Sequence, residues 1–358
     1  MTATALAVLP LLLAVGCGYG SQAEESSGED TKAEGEKLSA AKVNIGYFAN
    51  TTHASALVGK EKGFFQKELK GTQADYKVFN AGPSEIEALN AGAIDIGWIG
   101  PSPAINGWSQ SKGKGLKIIS GSASGGVALV VNPKKIKSLD DLKGKRIATP
   151  QLGNTQDVAL LNYLADKGFK VDAKTGKGDV TVQRTENKVT PLAFEQGEID
   201  GAWVPEPTAS KLVDVGGKRL LDERKLWKDG KFVITNVIVS QKFLRQHPDV
   251  VQAVLRGSVK ANDWIGGNPA DAATTINAAL KKDTGEALPD KIIKPAVKEV
   301  DVTDDPLAST LREEAEHAVT AGLLKKPDLD GIYDLRPLNK VLRAEGKKPV
   351  DAAGLGQQ

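Results

Sequence analysis

The sequence predicts an α/β protein of two lobes joined by two hinge strands. Three observations carry that expectation. From Val43 onward, segments with strand pattern alternate with segments of helical periodicity, as in parallel sheets covered on both faces. One helix–turn–strand unit occurs twice. ALNAGAIDIGWIGP (88–101) and AFEQGEIDGAWVPE (193–206) set Ala88, Gly92, Ile94, Asp95 and Trp98 against Ala193, Gly197, Ile199, Asp200 and Trp203, at a constant offset of 105 residues. Finally, the β-rich stretches Val127–Asn132 and Phe232–Ser240 bracket a segment the size of one small domain. Two such strands make a stiff bending hinge rather than a floppy linker. The expected boundaries are a signal peptide at 1–17, a tether at 18–41, the first lobe at 42–128, the second at 129–233, and a return to the first lobe with C-terminal helices at 234–358.

Composition narrows the function. The chain has 358 residues, 40% apolar and 26% charged, with a formal net charge of +2. That is globular, and no basic stripe argues for nucleic acid. Residues Ala5–Gly16 form a short apolar run ending in small residues, followed at once by the sole cysteine, Cys17. Such a run is an export signal too short to span a bilayer. Its end resembles the lipobox of bacterial lipoproteins, in which the Cys is acylated; it differs at Ala14 and in having no Lys or Arg ahead of Cys17. A spare thiol is unwelcome on an exported protein, which favours lipidation. Gly18–Ala41 is acidic and poor in bulky apolar groups, the composition of a disordered tether.

In the body, Val43–Phe48 reads as the first strand, and Asn50-Thr51-Thr52-His53 opens the segment Ala54–Leu69. Asp75–Phe79 is the second strand, followed by Ala81-Gly82-Pro83-Ser84. Ile94–Ile99 is the third, followed by Gly100-Pro101-Ser102-Pro103, and Leu116–Ser120 the fourth. The stretch KRIATPQLGNTQDVALLNYLA (145–165) reads as a strand, a Pro-Gln-Leu-Gly turn and a helix capped by Asn154 or Thr155. Thr51 or Thr52, Ser84 and Ser102 are the expected caps of the other three helices. After the second crossing the pattern turns helical, with Pro248 and Pro269 at helix starts. The tail, Leu311–Leu323 and Leu335–Leu342, is expected on the outside of the first lobe.

The candidate site follows from these turns. In parallel sheets ligands sit beyond the carboxyl ends of the strands, and the free N–H groups of a helix start suit an anion. The candidates are Thr52, His53, Pro83, Ser84, Gly100, Ser102, Asn154, Thr155, Gln156, Trp203 and Glu206. Trp203 is either core or an apolar wall for a ligand's carbon chain. Glu206, between two prolines, either pairs with a Lys or Arg of its own lobe or meets an amine or hydroxyl on the ligand. Glu85 reads as a first-turn acid favoured by the helix dipole. Enzyme constellations are poor. His53, His247 and His317 are the only histidines, no Cys/His set has metal-ligand spacing, and no Lys follows the Gly/Ser-rich stretch 121–126 as a phosphate loop requires. Neither cofactor nor metal is expected.

The segments GYFANTTHASALVGKEKGFF (46–65), FNAGPSEIEALNAGAIDIGWIGPSPAIN (79–106), SLDDLKGKRIATPQLGNTQDVAL (138–160) and FEQGEIDGAWVPEPTASKL (194–212) together resemble the solute-binding proteins of ABC importers in the nitrate, taurine and aliphatic-sulfonate group, especially the sulfonate branch. The resemblance implies a type II periplasmic-binding-protein fold. It implies a monomeric, extracytoplasmic, lipid-anchored bacterial receptor that takes a small anion, an alkanesulfonate or taurine-like compound, into its cleft. Its partners would be a membrane permease and ATPase. Nitrate, bicarbonate or a thiamine-type pyrimidine are alternative ligands. A secreted hydrolase or pyrimidine-processing enzyme, or a signalling sensor, is the alternative class.

Overall fold

A computed structural model describes residues 37–357. The expected signal peptide, Cys17 with it, and the expected tether up to residue 36 lie outside the described residues. The last stretch of that tether is part of the body. Ala40 is buried, Leu38 packs against the core, and Thr72 Oγ1 donates to the Ala40 carbonyl at 2.7 Å. The Ser39 N–H donates to Asp249 at 2.6 Å. Two apolar side chains and satisfied backbone groups dock this segment, so the body starts ahead of residue 42.

The strands are β1 (Lys42–Phe48), β2 (Gln73–Phe79), β3 (Ile96–Ile99), β4 (Leu116–Gly125), β5 (Val127–Val131), β6 (Arg146–Thr149), β7 (Thr181–Arg184), β8 (Gly201–Pro205), β9 (Lys218–Asp222), β10 (Val233–Ser240), β11 (Val300–Val302), β12 (Tyr333–Asp334) and β13 (Gly356–Gln357). The helices are α1 (Ala54–Glu61), α2 (Phe64–Glu68), α3 (Gly82–Asn90), α4 (Pro101–Gln110), α5 (Thr155–Asp166), α6 (Thr190–Glu195), α7 (Thr208–Asp214), α8 (Gln241–Gln246), α9 (Pro248–Gly267), α10 (Pro269–Thr284), α11 (Asp290–Lys298), α12 (Leu311–Thr320) and α13 (Arg336–Ala344).

Two sheets form, and they share one plan. The first runs β2-β1-β3-β10-β4 and continues through β12 to β13, with β11 also on β4. The second runs β7-β6-β8-β5-β9. In each, three strands are parallel and the fourth and fifth are joined by antiparallel pairings. Thus β1, β2 and β3 correspond to β6, β7 and β8, and β10 corresponds to β5. The repeated sequence unit is the visible part of this correspondence. Asp95 accepts the Asn44 N–H of β1 at 2.8 Å, and Asp200 accepts the Arg146 N–H of β6 at 2.9 Å. Each Asp ties the turn entering its lobe's third strand to that lobe's first strand. Gly92 and Gly197 end the preceding helices with φ of 69° and 72°, a left-handed conformation that glycine adopts without steric cost.

The two stretches expected to cross between lobes each lie within one sheet. β5 belongs wholly to the second and β10 wholly to the first. The crossings are the links leading into them, Gly125–Gly126 and residues 223–232. The Gly/Ser-rich stretch 121–126 is therefore mostly strand β4.

The first sheet carries α1, α9, α10 and α13 on one face and α3, α4 and α12 on the other. The second is covered on one face by α5 and on the other by α6 and α7. The tail departs from expectation. α13 packs on the first lobe, but α12 lies in a seam between α4 of the first lobe and α5 of the second. Leu311 and Ala315 enter the first lobe's core, and Ala321 enters the second's. Its apolar residues supply two cores at once, and sequence periodicity does not reveal a second partner. Among the described residues no helix is long and apolar enough to cross a membrane.

Candidate functional site

All six parallel strands end on one small cavity between the lobes. Phe48 ends β1, and Asn50, Thr52 and His53 follow it; Asn80 follows β2 and Gly100 follows β3. From the second lobe come Asn154 and Gln156 after β6, Asn187 after β7 and Pro205 at the end of β8, with Ile234 of β10 completing the wall. The cavity volume is about 20 Å³, of the order one ordered water requires. Two hydrogen bonds join the lobes around it. The Thr51 N–H donates to the Glu206 carbonyl at 3.1 Å, and the Gly82 N–H donates to Asn154 Oδ1 at 3.2 Å.

The lining contains no Lys or Arg. Its polar groups are side-chain amides, a threonine and one imidazole. His53 is fixed in protonation and tautomer. Its Nδ1 accepts the Phe48 N–H at 3.2 Å, so in the neutral ring the proton sits on Nε2. Burial lowers its pKa to about 3, which keeps the ring neutral. The Phe48 ring packs against it, tilted by 31° at 4.4 Å between centroids. Nε2–H is thus a neutral donor.

Charged groups stand directly behind this lining, and they are paired. Asp157, fully buried in the first turn of α5, accepts from Thr149 Oγ1 at 2.7 Å, the Gly153 N–H at 3.0 Å and Arg184 Nε at 3.0 Å. It holds the 151–154 turn in place. Gly153, with φ of 75°, allows that turn. Glu206 accepts the Ser210 N–H at 3.0 Å and pairs with Arg219 of its own lobe. Of the two roles open to Glu206 in the sequence, pairing within the lobe is the one observed. Its carboxylate is buried away from the cavity, and only its backbone carbonyl reaches the other lobe.

Several sequence-based roles change. Trp203 is not a cleft wall. It is fully buried, packs on Tyr163 at 5.5 Å, and donates from Nε1 to Glu223 at 2.7 Å. Trp98, its counterpart, is equally buried against Phe65. Both lie in strands covered on both faces, where every side chain is core. Asn154 occupies the N-cap position of α5 but makes no capping bond with its side chain. Its Oδ1 crosses to Gly82, and its Nδ2 donates to Gln156 at 2.5 Å. Thr155 is buried and its Oγ1 has no partner; it abuts Gly100 of the other lobe. Neither Thr51 nor Thr52 caps a helix with its hydroxyl. Ser84 lies inside the first turn of α3, returning its hydroxyl to the Ala81 carbonyl, and neither it nor Pro83 lines the cavity. Ser102 is buried in the first turn of α4 and does not cap it.

Glu85 is not a solvated first-turn acid. It is fully buried, neither oxygen has a hydrogen-bond partner, and burial pushes its pKa well above the usual carboxylate range. Gly46 and Gly97 make room for it, since a Cβ on either would stand 2.5 or 2.4 Å from its Oε1.

Thr52, His53, Gly100, Asn154 and Gln156 are therefore the expected residues that the fold brings to one cavity. Phe48, Asn50, Asn80, Asn187, Pro205 and Ile234 were not on the candidate list. Most share a signal the sequence does carry, a position at or just past the end of a parallel strand.

Two like-ordered sheets with a polar cavity between the carboxyl ends of their strands define a solute-binding protein of the periplasmic-binding-protein fold. The chain belongs to the NMT1-like family, whose model matches residues 36–280. It is 30% identical over 227 residues to the taurine-binding periplasmic protein of Escherichia coli (strain K12), covering 63% of this chain and 68% of that one. Among solved structures, it is similar to the alkanesulfonate-binding protein of Xanthomonas axonopodis pv. citri bound to MOPS, with a TM-score of 0.66 and 24% identity over 80% of this chain and 95% of that one. It is also similar to the periplasmic aliphatic sulphonate binding protein of Escherichia coli, with a TM-score of 0.62 and 23% identity over 80% and 90% of the two chains. These relatives are binding proteins, not enzymes.

Proposed function

We propose that this chain is the extracytoplasmic receptor of an ABC importer, binding a small anion of the alkanesulfonate or taurine kind between its lobes. The observation that carries the reading is the convergence of all six parallel strand ends on one cavity lined by neutral polar groups. An anion held there is met by the His53 Nε2–H, side-chain amide N–H groups and backbone N–H groups, with no ion pair to break on release. The taurine-binding relative and the alkanesulfonate- and aliphatic-sulphonate-binding neighbours support the ligand class. At about 20 Å³ the cavity is smaller than any alkanesulfonate, so loading requires the lobes to part. The ligand then drives the lobes to close again around it.

On this reading Thr52, His53, Asn154 and Gln156 contact the ligand, Cys17 carries a lipid anchor, and a permease and ATPase receive the cargo. Calorimetry with taurine, methanesulfonate, longer alkanesulfonates, nitrate and bicarbonate tests the ligand class. Saturable one-to-one binding of a sulfonate is expected. Binding of none of the sulfonates, with binding of nitrate or bicarbonate, overturns it. Globomycin-sensitive processing that disappears in Cys17→Ser tests the anchor.

A further inference from the structure

The first lobe has a second concavity, at the end of its sheet away from the ligand cavity. β4 and β3 both run antiparallel to β10, so β4 starts at the end opposite the strand ends that meet the cavity. Beside that start, Lys117, Arg245, Arg336 and Lys340 line a trough of about 570 Å³, in which Asp334 is the one acid. Asp334 is committed to Arg336, whose Nε and Nη2 donate to it at 2.8 and 2.6 Å. Lys117 lies over the Trp108 ring at 4.7 Å and donates to the Gly331 carbonyl. Arg245 and Lys340 are exposed, and neither has an ion pair or a hydrogen bond among the described residues. Arg336, Lys340 and Arg343 fall at i, i+4 and i+7 of α13, which puts them on one helix face. Leu244, Pro248 and Pro337 give the trough apolar lips.

The N-terminal segment joins the body at this same end. The Ser39 N–H donates to Asp249 and its hydroxyl meets His247 Nδ1 at 2.9 Å. Pro248, between those two residues, lines the trough. Cys17 precedes Lys37, the first residue of the body, by 20 residues, so a lipid on Cys17 tethers this end of the first lobe to the bilayer. We propose that the trough is a docking surface for anionic phospholipid headgroups, which rests the far end of the first lobe on the membrane. The unpaired Arg245 and Lys340 meet lipid phosphates, and the apolar lips meet the boundary below them. Membrane as the occupant rests on the lipid-anchor reading above. The charge and shape of the trough do not, and the test uses protein without lipid.

The processed chain from residue 17, carrying Cys17→Ser, is sedimented with vesicles of phosphatidylcholine, with and without one third phosphatidylglycerol. Binding to the anionic vesicles only, reversed by high salt, is expected. Arg245→Gln combined with Lys340→Gln should weaken that binding about 25-fold, roughly fivefold for each charge removed. The same variant should keep wild-type taurine affinity in calorimetry, since neither residue lines the ligand cavity. Lys174→Gln combined with Lys177→Gln removes equal charge from exposed positions of the second lobe and should leave vesicle binding nearly unchanged. No binding to anionic vesicles, or an equal loss in the two double variants, overturns the docking surface. Saturable binding of glycerol phosphate without vesicle binding also overturns it, and makes the trough a site for a free phosphate. Taurine binding by a chain that ignores anionic vesicles overturns docking alone and leaves the receptor reading intact.

Discussion

Gly100 is the point at which a single methyl group should hold the lobes apart. It sits at the N-cap of α4 with φ of −70° and ψ of 158°, a conformation alanine adopts freely, so backbone strain plays no part. A Cβ built there stands 2.2 Å from Thr155 Oγ1 and 3.3 Å from Thr155 Cβ, both on the opposite lobe. Ordinary contact begins near 3.4 Å, so the closed arrangement must give by about 1.2 Å. Thr155 is buried and β-branched, with few rotamers to escape into. Overpacking of this kind costs about 1–3 kcal/mol, and it falls on the closed form alone. Gly100→Ala should therefore weaken ligand affinity about 5- to 150-fold while leaving the melting temperature nearly unchanged. Calorimetry with the tightest-binding sulfonate gives the affinity, and thermal unfolding gives the stability. Adding Thr155→Ala removes the 2.2 Å clash and should restore most of the loss. Wild-type affinity in Gly100→Ala, or no recovery in the double variant, would refute the reasoning.

Other outcomes follow from the same geometry. Asn154→Ala removes the bond from the Gly82 N–H across the cleft and should cost about 0.5–1.5 kcal/mol of binding, roughly 2- to 12-fold, measured by calorimetry. His53 is held neutral with a pKa near 3, below its ordinary 6.5. The unfolded chain therefore binds a proton that the native chain refuses, and stability should fall as pH drops from 6.5 toward 3, by at most about 1.4 kcal/mol per pH unit for this group. Thermal melts of wild type and His53→Gln across that range check the slope, which should be shallower in the variant. Trp203→Ala should destabilise the fold by about 3–5 kcal/mol without discriminating between long and short sulfonates. A chain-length effect on affinity in that variant would place the indole in the cleft after all.

The architecture was legible because alternation and the 105-residue echo are local patterns, and each Asp of the echo performs the same bond in its own lobe. The level of the site was legible too, since ligands gather at the carboxyl ends of parallel strands. The role of each residue there was not. Asn, Ser and Thr are the residues that cap helices and also those that reach a ligand, so the sequence cannot say that Asn154 turns away from its own helix toward Gly82. Trp203 misled because a short strand covered on both faces has no polar side to betray its orientation. Glu206 found its partner in Arg219, brought alongside by α7 and β9, and α12 found two cores where its periodicity implied one. These are tertiary facts with no signature in local pattern.

Hydrogen exchange, resolved to single amides, at two bonds that join the lobes around the cavity tests the central claim most directly. The Thr51 and Gly82 N–H groups donate to Glu206 and Asn154 across the cleft, and their exchange reports the open fraction. Saturation with the tightest-binding sulfonate should slow both amides together and leave those inside α9 and α10 unchanged. Unaltered exchange at Thr51 and Gly82 under saturating ligand would contradict the account, because a solute held between the lobes cannot bind without closing them.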